Sequence, residues 1–101
     1  MTPKALAKVR DKLESMLRSP RGLKSRDLES IAQKLGRTRA KRGSEPTWVR
    51  EDQPLLTPPL SIPHHSADMP PGTAKSVIEA LLSDADEWDL FLIENPPEDK
   101  E

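Results

Sequence analysis

The chain has 101 residues, of which 34% are hydrophobic, 3% aromatic and 33% charged, and it contains 11 prolines and no cysteine. Its net charge of −1 conceals a division: residues 1–50 hold 14 Lys/Arg against 5 Asp/Glu, a net of +9, and residues 51–101 hold 2 against 12, a net of −10. This composition limits the chain to one domain with a modest core and excludes disulfides, thiolate metal sites and cysteine nucleophiles. No run is long and apolar enough for a signal peptide or a membrane span, so we predict a soluble cytoplasmic protein.

Two amphipathic helices are predicted in the basic half of the chain. The first begins at Thr2-Pro3 and ends at Ser19-Pro20, with apolar residues at three- and four-residue spacing: Leu6, Val9, Leu13, Met16 and Leu17. The second begins at Ser25 as its N-cap and ends at Gly36, and its predicted buried face consists of Leu28, Ile31, Ala32 and Leu35.

Sequence typical of β-strands replaces the helical period after Gly36. The predicted strands are residues 38–42, 47–50 and 60–62, with Gly43-Ser44 as the first hairpin turn and the proline-containing segment 51–59 as a loop. Val49 and Ile62 are predicted core residues. Trp48 is predicted to be core rather than a platform for stacking RNA bases, because a chain with so few aromatic residues needs its largest one for burial.

The helical period returns after Pro70-Pro71, in a helix predicted to end near Ser83, with an apolar stripe of Ala74, Val77, Ile78, Leu81 and Leu82. A separate short acidic helix containing Trp88 and Phe91 is predicted to follow. The acidic, proline-containing tail from Asn95 is predicted to be disordered.

Residues 62–78 are the most informative segment, because only five residues separate Pro63-His64-His65 from the helix start Pro71-Gly72-Thr73. Upstream lie Lys24-Ser25-Arg26-Asp27-Leu28 and Arg42-Gly43-Ser44. In this order the pieces resemble the HicA family of small toxin ribonucleases, over about residues 23–83. The resemblance implies a prokaryotic toxin that acts on messenger RNA, a double-stranded-RNA-binding-domain-like fold and a HicB-like antitoxin as partner.

The predicted fold class is α+β, with a dsRBD-like α-β-β-β-α core in which two helices cover one face of a three-stranded antiparallel sheet. We predict an N-terminal helical extension over residues 1–22, the HicA-like domain over 23–83, and an acidic C-terminal helix and tail over 84–101. The extension is interpreted as a helix that caps and enlarges a small core. Packing on a partner or on another copy of the chain is the alternative, so a homodimer stays open.

The candidate catalytic residues are Glu45 and His65. The family follows Gly-Ser with a histidine credited with RNA cleavage, whereas Gly43-Ser44 is followed here by Glu45. Cleavage without a metal needs a general base and a general acid, the roles of Glu45 and His65 respectively. The alternative is an inactive site, because a glutamate with an ordinary pKa of about 4.3 repels phosphate. His64 and His65 point apart on extended backbone and no set of metal ligands is clustered, so no metal or other cofactor is predicted.

The candidate RNA-binding residues are basic side chains beside the Gly-Ser turn and at the start of the last helix: Arg37, Arg39, Lys41, Arg42 and Lys75. Ordinary solvated charge is the alternative interpretation of these residues. A second class of function also stays open, a non-catalytic module that binds RNA or protein, in which the acidic C-terminal region holds another protein.

Overall fold

The computed structural model describes residues 1–40, 46–64 and 67–96. Within these ranges the elements are α1 (Pro3–Arg18), α2 (Ser25–Lys34), β1 (Thr38–Ala40), β2 (Thr47–Arg50), β3 (Leu56–Ser61) and α3 (Pro71–Glu94). The α+β class and the α-β-β-β-α core order are confirmed, with α1 added before them. No described helix is long and apolar enough to cross a membrane. The predicted Gly-Ser turn and the end of the tail lie outside the described residues.

The sheet is antiparallel with the strand order β1-β2-β3. Trp48 on β2 pairs with Arg39 on β1 and Leu60 on β3, and its buried side chain faces the helices, which confirms it as a core residue. Because successive side chains alternate between the faces of a strand, Val49 points to the outer face and is only half-buried. Val49 was therefore wrongly predicted to be core, whereas Ile62 is fully buried as predicted.

Strand β3 begins at Leu56, four residues earlier than predicted, and contains Pro58 and Pro59. Its register with β2 shifts between Trp48 and Arg50, so that residues 57–59 lie opposite Val49 alone. Proline is tolerated in such a bulge on an edge strand, because its missing N–H interrupts no continuous ladder. The prediction of a loop up to Pro59 was wrong for this reason.

Helix α3 is one continuous helix of 24 residues, so the predicted break near Ser83 is absent. Asp84 lies inside the helix rather than at its end. Its buried side chain forms an ion pair with Arg37, the residue that precedes β1. Trp88 continues the buried stripe and donates its indole N–H to the Leu35 carbonyl at 2.7 Å. Phe91 packs edge-on against Trp88, with ring centroids 5.7 Å apart. The acidic segment is thus the second half of α3.

Helix α1 packs into the same core as α2 and α3 through its predicted apolar stripe, in which Leu6, Val9 and Leu13 are buried. On a neighbouring face, Arg10 forms ion pairs with Asp86, at 2.9 Å, and with Asp89. Partial burial lowers the pKa of the Arg10 guanidinium, but the hydrogen bond of Asp86 and the charges of both carboxylates outweigh it and raise that pKa. The interpretation of α1 as a helix that enlarges a small core is confirmed.

Gly36 follows α2 with a φ of +93°, the left-handed conformation expected of a helix stop. The Arg50 guanidinium donates to its carbonyl at 3.2 Å and lies so close that a β-carbon on residue 36 would overlap it. We expect Gly36→Ala to lower the free energy of unfolding by about 1–2 kcal/mol for the left-handed backbone, with about 0.5–1.5 kcal/mol more for each hydrogen bond that the Arg50 guanidinium loses when it moves aside. Urea denaturation measures the loss.

Gly22→Ala is the matched control for this prediction, because Gly22 also has a positive φ, of +79°, but a β-carbon added there would meet nothing within 4 Å. It should show only the backbone cost. Equal losses for the two substitutions would contradict the crowding of Gly36 by Arg50.

Candidate functional site

Two of the three segments that carry the HicA resemblance lie side by side at the N-terminal end of α2, although more than thirty residues separate them in the sequence. The Ser25 hydroxyl donates to the Pro63 carbonyl, and the Met69 N–H donates to the Leu23 carbonyl at 2.8 Å. The Lys24 ammonium lies 3.1 Å from a carboxylate oxygen of Asp68. These contacts bring together the start of α2, the end of β3 and the segment that leads into α3. We call this region the junction.

The rim of the junction includes an ionisable pair that the sequence did not single out. The exposed imidazole of His64 has its Nδ1 3.4 Å from a carboxylate oxygen of Glu29 on α2. Asp27 in the first turn of α2 accepts a hydrogen bond from the Lys24 N–H at 2.9 Å and closes that end of the helix. Nothing in the local sequence indicated that Glu29 would meet a histidine.

The start of α3 provides backbone donors beside the junction. No described side chain caps this end and its first turn contains no acidic residue. The N–H groups of Gly72 and Thr73 lie in the first turn, where the helix supplies no acceptor, and they carry the partial positive charge of the helix terminus. Lys75 is exposed one turn further along. This arrangement is compatible with the phosphate contact predicted for Lys75.

Four of the predicted site residues, Lys41, Arg42, Glu45 and His65, lie outside the described residues. The catalytic roles of Glu45 and His65 therefore stay predictions. Among the residues that are described, no group of three or more His, Cys, Asp or Glu side chains is placed to hold a metal ion.

Arg37 does not lie on the exposed surface predicted for it, since it is only 2% exposed. Its guanidinium binds both carboxylate oxygens of Asp84, at 2.6 and 2.9 Å, and donates to the Trp48 carbonyl at 2.7 Å and the Pro58 carbonyl at 3.2 Å. All three of its nitrogens are thus engaged inside the protein. Arg37 joins β2, β3 and α3, and is not available to a phosphate.

Arg39 keeps the exposure predicted for it and forms no ion pair with any residue that the structure describes. Arg39 shares a face of the sheet with Trp48, its partner on β2, because directly paired residues of antiparallel strands project to the same face. Arg37 lies beneath α3, whereas Arg39 lies further along the edge strand β1. Trp48 is buried and its indole N–H has no partner among the described groups.

A groove between α1 and α2, of about 400 Å³, was not predicted from the sequence. Its lining combines an apolar floor with three lysines: Met1, Ala5, Val9 and Ile31, and Lys8, Lys12 and Lys34. A volume of this order is within the range of sites that bind small molecules or side chains of a partner. The spacing of Lys8 and Lys12 beside the buried stripe was visible in the sequence, but the position of Lys34 across from them depends on how α2 packs.

A comparison of the chain with known proteins found no matching family model, no matching curated protein and no matching solved structure. Its function is therefore inferred from the residues and their geometry.

Proposed function

We propose that this chain is a HicA-like RNA-binding protein of a prokaryotic toxin-antitoxin pair, acting in the cytoplasm and held in check by a HicB-like antitoxin. One observation carries the proposal: the segments that resemble the family, around Ser25 and Pro63, converge at the junction although they are far apart in the sequence. Residues that resemble a functional motif and also converge in space are more informative than residues scattered over a surface.

Exposed basic side chains on three elements support phosphate as the group that is recognised. Arg26 on α2, Arg39 on β1 and Lys75 on α3 are all exposed and form no ion pairs in the part of the chain that the structure describes. The uncapped first turn of α3 adds backbone N–H groups to these cations. The chain would then contact RNA mainly through its backbone, with affinity that depends strongly on salt.

The salt dependence of RNA affinity tests the proposal. Anisotropy titrations of labelled RNA should show affinity that falls steeply as salt rises, and the variant Arg39→Gln/Lys75→Gln should flatten the logarithmic slope by about one to two units, since two phosphate contacts are lost. Lys4→Gln/Arg18→Gln is the control, because it removes the same charge from exposed positions on α1 that belong neither to the proposed RNA surface nor to the groove. Affinity indifferent to salt, or equal flattening by the control, would refute the proposed surface.

Cleavage is a separate part of the proposal and depends on Glu45 and His65 as general base and general acid. Without added metal, Glu45→Ala and His65→Ala should each lower RNA cleavage by about 100-fold or more, as expected when a proton-transfer group is lost. Glu45→His, which introduces the family's residue, should preserve or raise cleavage. If the unmodified chain and all three variants bind RNA but do not cleave it, the chain is a non-catalytic module.

That module is the second candidate function, and the groove between α1 and α2 favours it. The groove combines an apolar floor with three lysines, a combination typical of surfaces that bind an acidic amphipathic segment. It lies on α1, outside the part of the chain that resembles HicA. A protein-binding role for the groove is compatible with RNA binding at the junction.

A further inference from the structure

The groove needs an occupant with apolar and acidic groups close together. Its floor is built by apolar side chains of both helices, including Val9 and Ile31. Lys8, Lys12 and Lys34 surround that floor and form no ion pair with any residue in the described ranges. Apolar side chains would gain from burial on the floor, and carboxylates beside them would pair with the lysines.

The C-terminal end of α3 has the complementary chemistry. Leu90 and Ile93 are 60% and 74% exposed and lie one turn apart on the same face of the helix. Glu87 and Glu94 flank Leu90 at three- and four-residue spacing, and neither forms an ion pair within the described part of the chain. We call these four residues the tip. The tip is an apolar pair between two unpaired carboxylates.

The tip of a molecule cannot enter the groove of the same molecule. Arg10 contacts α3 at Asp86 and Asp89, next to the tip. Lys8 and Lys12 are each two residues from Arg10, so their side chains leave α1 about 200° around the helix axis from the Arg10 side chain. The groove therefore opens on the side of α1 that faces away from the end of α3, and only another molecule can present a tip to it.

We propose that the tip of one copy of this chain docks in the groove of a second copy, with Leu90 and Ile93 on the apolar floor and Glu87 and Glu94 against the lysines. Two different surfaces meet in this contact, so every molecule in a pair keeps one free groove or one free tip. Heterologous contacts of this kind grow into short chains or close into rings. The proposal goes beyond RNA binding and does not depend on it.

Two variants with different defects provide the test. Leu90→Ser/Ile93→Ser disables the tip and Lys8→Glu/Lys34→Glu disables the groove, and all four positions are at the surface, so folding should be preserved. In sedimentation velocity at low salt, the unmodified chain should form species larger than a dimer as its concentration rises, and each variant alone should associate at least tenfold more weakly. An equimolar mixture of the two variants should form a dimer and nothing larger, because it contains one intact tip and one intact groove.

Arg18→Glu/Arg21→Glu is the control, because it makes the same change of charge at exposed positions away from the groove and should leave association unchanged. Circular dichroism checks the fold of each protein. The proposal is overturned if the unmodified chain stays monomeric, if the mixture of variants fails to dimerise, or if the tip variant associates as well as the unmodified chain. A monomer whose groove instead bound an acidic amphipathic peptide would assign the groove to a different protein.

Discussion

Arg37→Ala or Asp84→Asn should lower the free energy of unfolding by about 3–5 kcal/mol, because each removes one partner of a buried ion pair and leaves the other side chain without it. Both residues are almost fully buried, at 2% and 3% exposure. Arg37 also donates to two strand carbonyls, so its loss leaves those acceptors unpaired as well. Domains of this size have total stabilities of about 5–15 kcal/mol, so either change would bring the protein close to unfolding. Urea denaturation followed by circular dichroism measures the effect.

Arg39→Ala is the control for this pair, since the neighbouring exposed arginine should change stability by about 0.5 kcal/mol or less. The double variant Arg37→Met/Asp84→Leu should lose less stability than either single variant, because no buried charge is left without a partner. A phosphate-binding role predicts the opposite pattern, in which Arg37→Ala folds normally and binds RNA weakly. A loss below about 1 kcal/mol would rule out the structural role.

Leu13→Ala should cost about 2–5 kcal/mol, as is usual when a fully buried leucine is truncated. Ile78→Ala in α3 should cost a similar amount, since Ile78 is equally buried. Because α1 shares one core with α2 and α3, each variant should unfold in a single transition. For each variant, far-ultraviolet circular dichroism and tryptophan fluorescence should give the same urea midpoint.

An α1 that folded apart from the rest would give a different result. Leu13→Ala would then change only a minor part of the circular dichroism signal and would leave the fluorescence transition of Trp48 and Trp88 in place. Glu14→Ala, at the next and exposed position of α1, is the control and should change stability by about 0.5 kcal/mol or less.

Elements whose signals are local were predictable from the sequence. The stripe of α1 and the stripe of α2 determined which faces are buried, since three- and four-residue spacing is a property of neighbouring positions alone. Gly36 ended α2 as expected, because the left-handed conformation favours glycine. Trp48 was assigned to the core from its size and from the scarcity of other aromatic residues.

Features that depend on distant partners were not predictable. Arg37 and Arg39 are the same residue type, two positions apart in the sequence. Arg37 is the buried one because Asp84 on α3 packs against it. The same carboxylate explains why α3 continues where a polar Ser83-Asp84 pair suggested a break. Pro58 and Pro59 suggested a loop because the bulge that accommodates them arises from pairing with β2.

The parts of the candidate site that depend on contacts between distant residues were likewise not predictable from the sequence. The contact of Ser25 with Pro63 was not predicted, since nothing in the local sequence relates the two segments. The groove was missed because its lysines come from two helices whose relative position is set by packing. The exposure of Ile93 was equally invisible, because an apolar residue at helical spacing normally indicates a buried face.

The double proline of β3 also has a consequence for solubility at high concentration. An exposed sheet edge is a template on which strands of other molecules can add, and this addition is a common route to amyloid-like aggregation. Pro58 and Pro59 both lack an N–H group, and because consecutive residues of a strand direct their N–H groups to opposite edges, one of these losses falls on the free edge that an incoming strand would use. At the opposite edge, the described part of β1 has only three residues. The sheet edges in the described part of the chain are therefore a poor template for fibrils.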